Sequence, residues 1–359
     1  MLSDPHDPND AHGLGWFDAH LDLAYLAETG RDMHAEPDDC RGRYQPAAVT
    51  LPSLASGKVT ACLGTIFTQA VPDPASPEAE TGAFAYPIDD AEAARVCGVR
   101  QLKLYHAWRD AGLIQLLPTH GNPWPEQAAP LTLGVLMECA DPIVSPDDLG
   151  EWVEGGVVAI GMSWVYQSRY AGGNATDTKQ HRGGTGLTDL GRSLVAAMDE
   201  HRVLHDASHL SRRSLDDLFE VTDAMVVATH SNAASQLPND YSIRARNLDD
   251  EAIAEIGRRG GVVGLNLFSL LVSGNDTGRA TIDDAVRHVE HICEVMGHRR
   301  GIGLGSDMDG GFPADRLPTG IDQPSDLAKL SSALLERGWS APEVAGFMRT
   351  NWQRVLSTR

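Results

Sequence analysis

His205-Asp-Ala-Ser-His209 and Val226-Val-Ala-Thr-His230 are the two stretches that decide the fold of this chain. Each is a short run that ends in a histidine. Residues 211–222 lie between them, begin with a serine and place apolar residues at helical spacing, which predicts a helix. The order strand, helix, strand brings both histidines to the carboxyl ends of consecutive strands, where parallel sheets carry their active sites. Two histidines at one edge indicate a metal site.

Strand and helix patterns alternate along the rest of the chain. Predicted strands end near His20, Thr68, Glu138, Trp164, Asp206, Thr229, Leu267 and Ser306. Helices are predicted over 88–112, 146–155, 187–202, 211–222, 247–259, 281–296, 325–337 and 341–356, with Asn247 as the N-terminal cap of its helix. Eight strand–helix repeats over this length predict an α/β fold, the (β/α)8 TIM barrel.

A doubly wound parallel sheet is the competing arrangement. It requires a glycine-rich phosphate-binding turn after an early strand, and the sequence has none there. The glycines of Gly301-x-Gly303-x-Gly305 lie inside the last predicted strand and lack the third glycine at the required spacing. We therefore predict one barrel domain over 15–357, preceded by a flexible segment over 1–14. Whether the glycine-rich loop over 172–186 closes as a lid stays open.

Composition and charge limit the classes of partner. The 359 residues include 50 Asp and Glu against 29 Lys and Arg, a net charge of −21. Such an acidic surface repels phosphates, which argues against a nucleic acid or an anionic membrane as a partner. We expect no membrane span and no secretory signal, because the apolar runs that either would need are missing. The five scattered cysteines form no CxxC pair and are typical of reduced thiols in a cytoplasmic protein.

The predicted strand ends supply a set of metal-binding side chains. They are His20, Asp22, Glu138, His209, His230 and Asp307. Such groups are costly to bury at strand ends unless they are paired or bind a metal. Each one alone could be a core group satisfied by backbone hydrogen bonds, but the whole set fits two metal ions. His288 and His291 lack the glutamate of an HExxH pattern and are predicted to be surface residues.

Several motifs resemble one known family. They are Asp18-Ala-His20-Leu-Asp22-Leu, Asp206-Ala-Ser-His209, Thr229-His230-Ser-Asn-Ala, Arg246-Asn-Leu-Asp-Asp, Gly260-Gly-Val-Val-Gly-Leu-Asn266 and Gly303-Leu-Gly-Ser-Asp307-Met-Asp-Gly. In order and spacing they resemble the membrane (renal) dipeptidase family, peptidase family M19, from residue 15 to about 357. The resemblance implies a barrel of the amidohydrolase type that carries two Zn2+ ions, although other divalent metals accept overlapping ligands.

The resemblance also assigns roles. It implies that His20 and Asp22 bind one zinc, that His209 and His230 bind the other, and that Glu138 bridges both. Asp307 would be the acid/base group that takes a proton from the bridging water and gives it to the leaving amine. Arg246 would bind or polarise the substrate. These roles agree with general chemistry, because two zinc ions lower the pKa of a shared water and a nearby carboxylate can carry its proton.

The sequence departs from the family pattern where the substrate would bind. Cys139-Ala140-Asp141 follows Glu138 in place of Gly-Gly-His, and Ser163-Trp164 stands where the family has Thr-His. Leu-Phe-Ser-Leu-Leu replaces an aromatic-rich segment after Asn266. We therefore expect an intact metal site and a rebuilt substrate shell, with Trp164 as a substrate-binding residue whose indole N–H can donate one hydrogen bond.

Three functions follow from these features. The first is a zinc-dependent dipeptidase, acting on a small dipeptide-like substrate. The second is a related amidohydrolase for a lactone, an N-acyl amino acid or another small amide, which the residue Trp164 favours. The third is a barrel that keeps metal without catalysis, although no metal ligand and no proton shuttle is missing. The resemblance leaves a homodimer open.

Overall fold

The computed structural model describes residues 15–71, 82–118, 130–174, 185–275 and 278–359. The segment 1–14, predicted to be flexible, and most of the predicted loop over 172–186 lie outside these residues. Within the described ranges, strands alternate with helices along the chain, as the sequence predicts.

Eight parallel strands form a barrel. They are Trp16–Leu21, Val59–Ile66, Leu131–Met137, Val157–Gly161, Leu204–Asp206, Val226–Val227, Val263–Leu265 and Ile302–Leu304. The strands pair in this order, and the eighth returns to the first through Asp18 and Leu304. The sixth and seventh strands meet through one parallel bridge between Ala228 and Val263. The prediction of a (β/α)8 TIM barrel is therefore confirmed.

Within the described ranges, three further strands lie beside the barrel. Gln69–Val71 pairs with Ala85–Pro87, and Ile114–Leu116 pairs with the third barrel strand. The barrel strands themselves are buried along almost their whole length. A parallel sheet that is covered on both faces needs such continuous apolar runs, which explains why these strands were visible in the sequence.

Helices cover the outside of the barrel. The α-helices are Leu23–Glu28, Leu51–Ser56, Ala91–Asp110, Leu149–Glu154, Asp189–His201, Arg212–Val221, Asp250–Arg258, Ser269–Ser273, Ile282–Met296, Ala328–Glu336, Ala341–Ala345 and Asn351–Thr358. Each predicted helix has an observed counterpart, and Ser211 caps Arg212–Val221 by accepting the Ser214 N–H at 3.0 Å. Among the described residues, no helix is both long enough and apolar enough to cross a bilayer.

Two helix predictions need correction. The cap of Asp250–Arg258 is Asp249, which accepts the Ala252 N–H at 2.9 Å, and Asn247 instead donates its amide to the Leu271 carbonyl. The last predicted helix is interrupted by a π-helical turn over Gly346–Thr350. After that turn, Trp352 stacks on Phe17 with ring centroids 6.0 Å apart. It covers the end of the first strand that lies opposite to His20.

Several barrel strands end a few residues before the site residues that follow them. The fourth strand ends at Gly161, before Trp164, and the fifth ends at Asp206, before His209. The sixth strand likewise ends before His230, and the eighth before Asp307. These side chains therefore lie on the first residues of the loops at the carboxyl ends of the strands. This is the edge at which barrel enzymes place their active sites.

Candidate metal centre

The six side chains predicted to form the site converge at this edge. They are His20, Asp22, Glu138, His209, His230 and Asp307. The first five are at most 8% exposed, and Asp307 is partly buried. Two overlapping groups have possible ligand atoms within 4.8 Å of one another: His20 with Glu138 and His230, and His20 with Asp22 and Asp307. His209 joins them through Glu138, as the distances below show.

Glu138 lies at the centre of this set. Its Oε2 is 3.7 Å from His20 Nε2, whereas its Oε1 is 3.2 Å from His209 Nε2 and 3.7 Å from His230 Nε2. On the first side, Asp22 Oδ1 is 3.8 Å from His20 Nε2. The two oxygens of one carboxylate thus face different histidines, which is the arrangement that a bridging ligand needs.

Two of the site residues have an unusual backbone conformation. His209 has φ of 65° and Asp307 has φ of 59°, both in the left-handed region. A residue other than glycine loses about 1–3 kcal/mol in such a conformation, so it persists only where the surrounding structure imposes it. The turn after the fifth strand and the turn after the eighth strand therefore direct these two side chains into the site.

The histidines are suited to bind a cation. Burial lowers the pKa of His20, His209 and His230 well below the ordinary value, with a further contribution from the Arg246 guanidinium, and this favours the neutral ring. Within the described part of the chain, His20 Nε2 and His209 Nδ1 are buried without a hydrogen-bond partner. Buried nitrogens are normally paired, so the unpartnered Nε2 of His20, aimed at two carboxylates, fits a metal ion.

The carboxyl groups give the complementary evidence. Burial raises the pKa of Glu138 and Asp307 well above the ordinary value, and their proximity to Asp22 raises it further. Burial also raises the pKa of Asp22 to about 6, against a hydrogen bond from the Thr65 hydroxyl. Three acidic groups crowded in this way repel one another when ionised, and bound cations would offset that repulsion. The donor set therefore fits divalent metal.

Arg246 lies beside the histidines, at the end of the 3-10 turn Arg244–Arg246. One of its terminal nitrogens, Nη2, donates to the His230 carbonyl at 2.9 Å and lies 3.1 Å from His209 Nε2. The other terminal nitrogen, Nη1, is buried and has no hydrogen-bond partner among the described residues. The guanidinium is thus fixed at one end and can donate to a bound anion at the other.

A cavity of about 530 Å³ opens over the metal centre. Asp22, Glu138, His209, His230, Arg246 and Asp307 line its polar part, and Tyr25, Tyr44, Phe67, Trp164, Phe268, Leu271 and Phe312 line its apolar part. The Trp164 ring is 5.1 Å from the Phe67 ring and 6.0 Å from the His209 ring, between centroids. The cavity therefore combines an ionic floor with aromatic walls.

Sequence reasoning missed the residues that support this site. Asn266 donates its amide to Asp307 Oδ2 at 2.9 Å, and Thr65 donates to Asp22. Asn266 lies just after the seventh strand, so the strand-end rule that found the histidines could also have found it. The aromatic walls come from loops far apart in the sequence and carry no common pattern.

The prediction for His288 is wrong. It is fully buried, its Nδ1 accepts the Ala233 N–H at 3.2 Å, and its Nε2 donates to the Val272 carbonyl at 2.8 Å. His288 therefore joins the segment at Ala233 to the helix Ser269–Ser273 through its ring. His291 is partly exposed and contacts Asp250 at 2.8 Å.

The fold and this set of side chains define a (β/α)8 barrel with a candidate metal centre at the carboxyl ends of its strands. The chain belongs to the membrane dipeptidase family, peptidase family M19, whose family model matches residues 14–359. The family resemblance found in the sequence is thereby confirmed.

Individual relatives agree with this assignment. The dipeptidase aclJ of Aspergillus oryzae is 29% identical over 201 residues, which are 56% of this chain and 45% of that protein. The match thus spans less than half the length of that curated relative. Among solved structures, a metallopeptidase of Rhodobacter sphaeroides, liganded with a phosphinate mimic of the dipeptide L-Ala-D-Ala, has a TM-score of 0.75 at 25% identity, covering 95% of this chain and 98% of its own. The probable dipeptidase PvdM of Pseudomonas aeruginosa has a TM-score of 0.79 at 18% identity, covering 98% and 97%, and supports the fold.

Proposed function

We propose that this protein is a dipeptidase that uses two zinc ions. The observation that carries the proposal is the meeting of His20, Asp22, Glu138, His209 and His230 around a cavity, with an unpartnered His20 Nε2 facing the carboxylates. Membership of a family of dipeptidases supports the reaction. The Rhodobacter sphaeroides structure supports the substrate class, since its ligand mimics a dipeptide.

The proposed metal ligands fall into two sets. His20 and Asp22 would hold one ion, His209 and His230 the other, and Glu138 would bridge both. The distances support this division, because Glu138 Oε2 faces His20 and Oε1 faces the other two histidines. When bound, the two ions would lower the pKa of a water between them and polarise the substrate carbonyl.

Arg246 and Asp307 would do the remaining work. A dipeptide ends in a free carboxylate, and the Nη1 of Arg246, which has no partner among the described residues, is a buried cationic donor in the cavity wall. Asn266 donates to one oxygen of Asp307, and no hydrogen bond to the other oxygen is seen among the described residues. That other oxygen would accept a proton from the attacking water and return it to the leaving amine as the amide bond breaks.

The shape of the cavity supports small substrates with apolar side chains. Its volume of about 530 Å³ is in the range of small-molecule sites, and six aromatic rings line its apolar part. Trp164 lies where a polar family residue was expected and contacts Phe67. We therefore propose dipeptides with at least one apolar side chain as the preferred substrates.

Metal analysis and a substrate panel test the proposal. The purified protein should contain close to two equivalents of zinc and hydrolyse free dipeptides, faster for apolar than for charged side chains. Removal of the metal with a chelator should abolish turnover, and added zinc should restore it. Bound zinc without hydrolysis of any dipeptide would refute the dipeptidase assignment.

A second function rests on Trp164. Its indole lies in the cavity wall next to His209, where it gives an apolar surface in place of the histidine of the family pattern. We propose as the alternative an amidohydrolase for N-acyl amino acids or lactones, whose acyl group would pack on this ring. The same panel, extended by these compounds, separates the two functions, because only the alternative predicts higher kcat/KM for substrates without a free amine.

A further inference from the structure

One hydroxyl oxygen connects two of the proposed metal ligands. Thr229 is fully buried, just after the sixth barrel strand. Its Oγ1 is 3.0 Å from Nδ1 of His230 and 3.3 Å from Nδ1 of His20. The rings of these two histidines pack closely, with centroids 3.6 Å apart, so one atom can reach both. The opposite nitrogen of each ring, Nε2, lies 3.7 Å from Glu138.

Asp206 determines where the hydroxyl proton points. This buried carboxylate accepts the backbone N–H groups of Ser208 at 3.0 Å and Thr229 at 2.8 Å on Oδ1. Its Oδ2 accepts the Thr229 hydroxyl at 2.6 Å, the shortest of the contacts that this hydroxyl makes. Backbone N–H groups can only donate, and their bonds favour the ionised carboxylate. The one proton of the hydroxyl is therefore used on Asp206.

The two lone pairs of the Thr229 hydroxyl decide which nitrogen carries the proton in the two histidine rings. A hydroxyl has one proton and two lone pairs, so Thr229 Oγ1 can only accept from His20 and His230. A neutral imidazole that donates from Nδ1 has its lone pair on Nε2. The Ser208 hydroxyl is 3.5 Å from the same oxygen, which is the longest of the four contacts. This hydroxyl also accepts the backbone N–H of His230 at 3.2 Å.

We infer that Thr229, held by Asp206, is a positioning residue that fixes His20 and His230 in the tautomer whose Nε2 faces the metal centre. One side chain thus prepares a ligand on each side of Glu138. His209 is not served in this way, because its Nδ1 has no hydrogen-bond partner within the described ranges. The inference rests on the proposed metal site and adds a residue that does not itself bind the metal.

Removal of the hydroxyl gives the first test. Thr229→Val keeps the shape of the side chain and should weaken zinc affinity roughly 10–100-fold, the range for the loss of such a supporting contact. Thr229→Ser keeps the hydroxyl and should retain most of the affinity. Thr222→Val is the matched control, because Thr222 also donates to a carboxylate, Asp199, at 2.8 Å but contacts no histidine of the site. Zinc affinity is measured by competition with a chelator on the full-length protein.

Reversal of the hydrogen bond gives the second test. In Asp206→Asn, the amide nitrogen would donate to Thr229, and the hydroxyl proton would then point at a histidine and force that ring to carry its proton on Nε2. Nitrogen-15 NMR of the metal-free proteins reads the tautomers directly. The wild type should show Nδ1–H for both His20 and His230, and Asp206→Asn should show Nε2–H for one of them, with an unchanged circular dichroism spectrum.

Two results would overturn the inference. They are Nε2–H at either histidine in the metal-free wild type, and wild-type zinc affinity in Thr229→Val. A wild-type protein that binds no zinc would instead refute the proposed metal site. The tautomers of the metal-free protein would still decide the role of Thr229, so the two failures are distinguishable.

Discussion

Asp307→Asn is the substitution that tests the proposed chemistry most directly. Asn266 donates its amide to Asp307 Oδ2 at 2.9 Å, so an asparagine at 307 must keep its carbonyl oxygen in that position. Its amide nitrogen then takes the place of Oδ1, on the side of the cavity. That nitrogen carries two protons and no lone pair to accept another. The variant therefore keeps the shape of the wild type and loses the base.

The expected loss follows from what a base contributes. General acid–base catalysis is worth roughly 10²- to 10⁴-fold in rate, which corresponds to about 3–5 kcal/mol of activation free energy. Zinc should remain bound, because His20, Asp22, Glu138, His209 and His230 are unchanged. The loss should appear in kcat, since a residue that moves a proton acts on the transition state.

The assay compares kcat, KM and zinc content in three proteins. Asp90→Asn is the matched control, because Asp90 caps the exposed start of Ala91–Asp110 and asparagine caps helices equally well. The control should keep wild-type turnover, whereas Asp307→Asn should lose at least two orders of magnitude in kcat with the same zinc content. A value of kcat within about threefold of the wild type would remove Asp307 from the role of proton carrier.

Three further predictions concern binding and stability. Arg246→Lys should lower kcat/KM for free dipeptides roughly 10–100-fold, because a single ammonium cannot both hold the His230 carbonyl and donate to the substrate carboxylate, while dipeptide amides should lose much less. Trp164→Ala should lower kcat/KM for bulky apolar dipeptides roughly 10-fold relative to glycylglycine, since it removes a wall of the cavity. Burial lowers the pKa of His288 from 6.5 to about 4, so this histidine binds a proton more readily in the unfolded chain. Its contribution to the free energy of unfolding should therefore be complete above pH 6.5 and should be lost as the pH falls to 4. Chemical denaturation at several pH values measures this loss of unfolding free energy, and the part that comes from His288 should be absent in His288→Gln.

The positions of the proposed metal ligands could be predicted from the sequence because barrel topology fixes where residues after a strand lie. A histidine or acid directly after a buried run must lie at the carboxyl edge, whichever helix follows. His209 and Asp307 also depend on a left-handed backbone, which the sequence does not reveal because neither residue is a glycine. The strand-end rule located these side chains correctly in spite of that.

The contacts of His288 and Asn247 could not be predicted, because hydrogen bonds between segments that are separate in the sequence leave no periodic signal. For His288 the missing glutamate of an HExxH pattern predicts a surface residue, yet its ring lies between Ala233 and Val272. Asn247 precedes an acidic helix start and looks like its cap, but the next suitable residue, Asp249, takes that position. In both cases the side chain satisfies a buried backbone group elsewhere, and that need outweighs the local preference.

The proposed metal ligands and the proposed substrate-binding residue Trp164 lie in different parts of the site. The proposed ligands lie on the barrel strands and the first turns after them, where His20, Thr229 and Asp206 are joined in a buried network. Trp164 lies beyond the end of the fourth strand, and its ring centroid is 6.0 Å from that of His209, which is not part of that network. We therefore expect a substitution at Trp164 to change which apolar group fits while the network of His20, Thr229 and Asp206 stays in place. Within this family, such a position would let substrate preference change while the chemistry stayed the same.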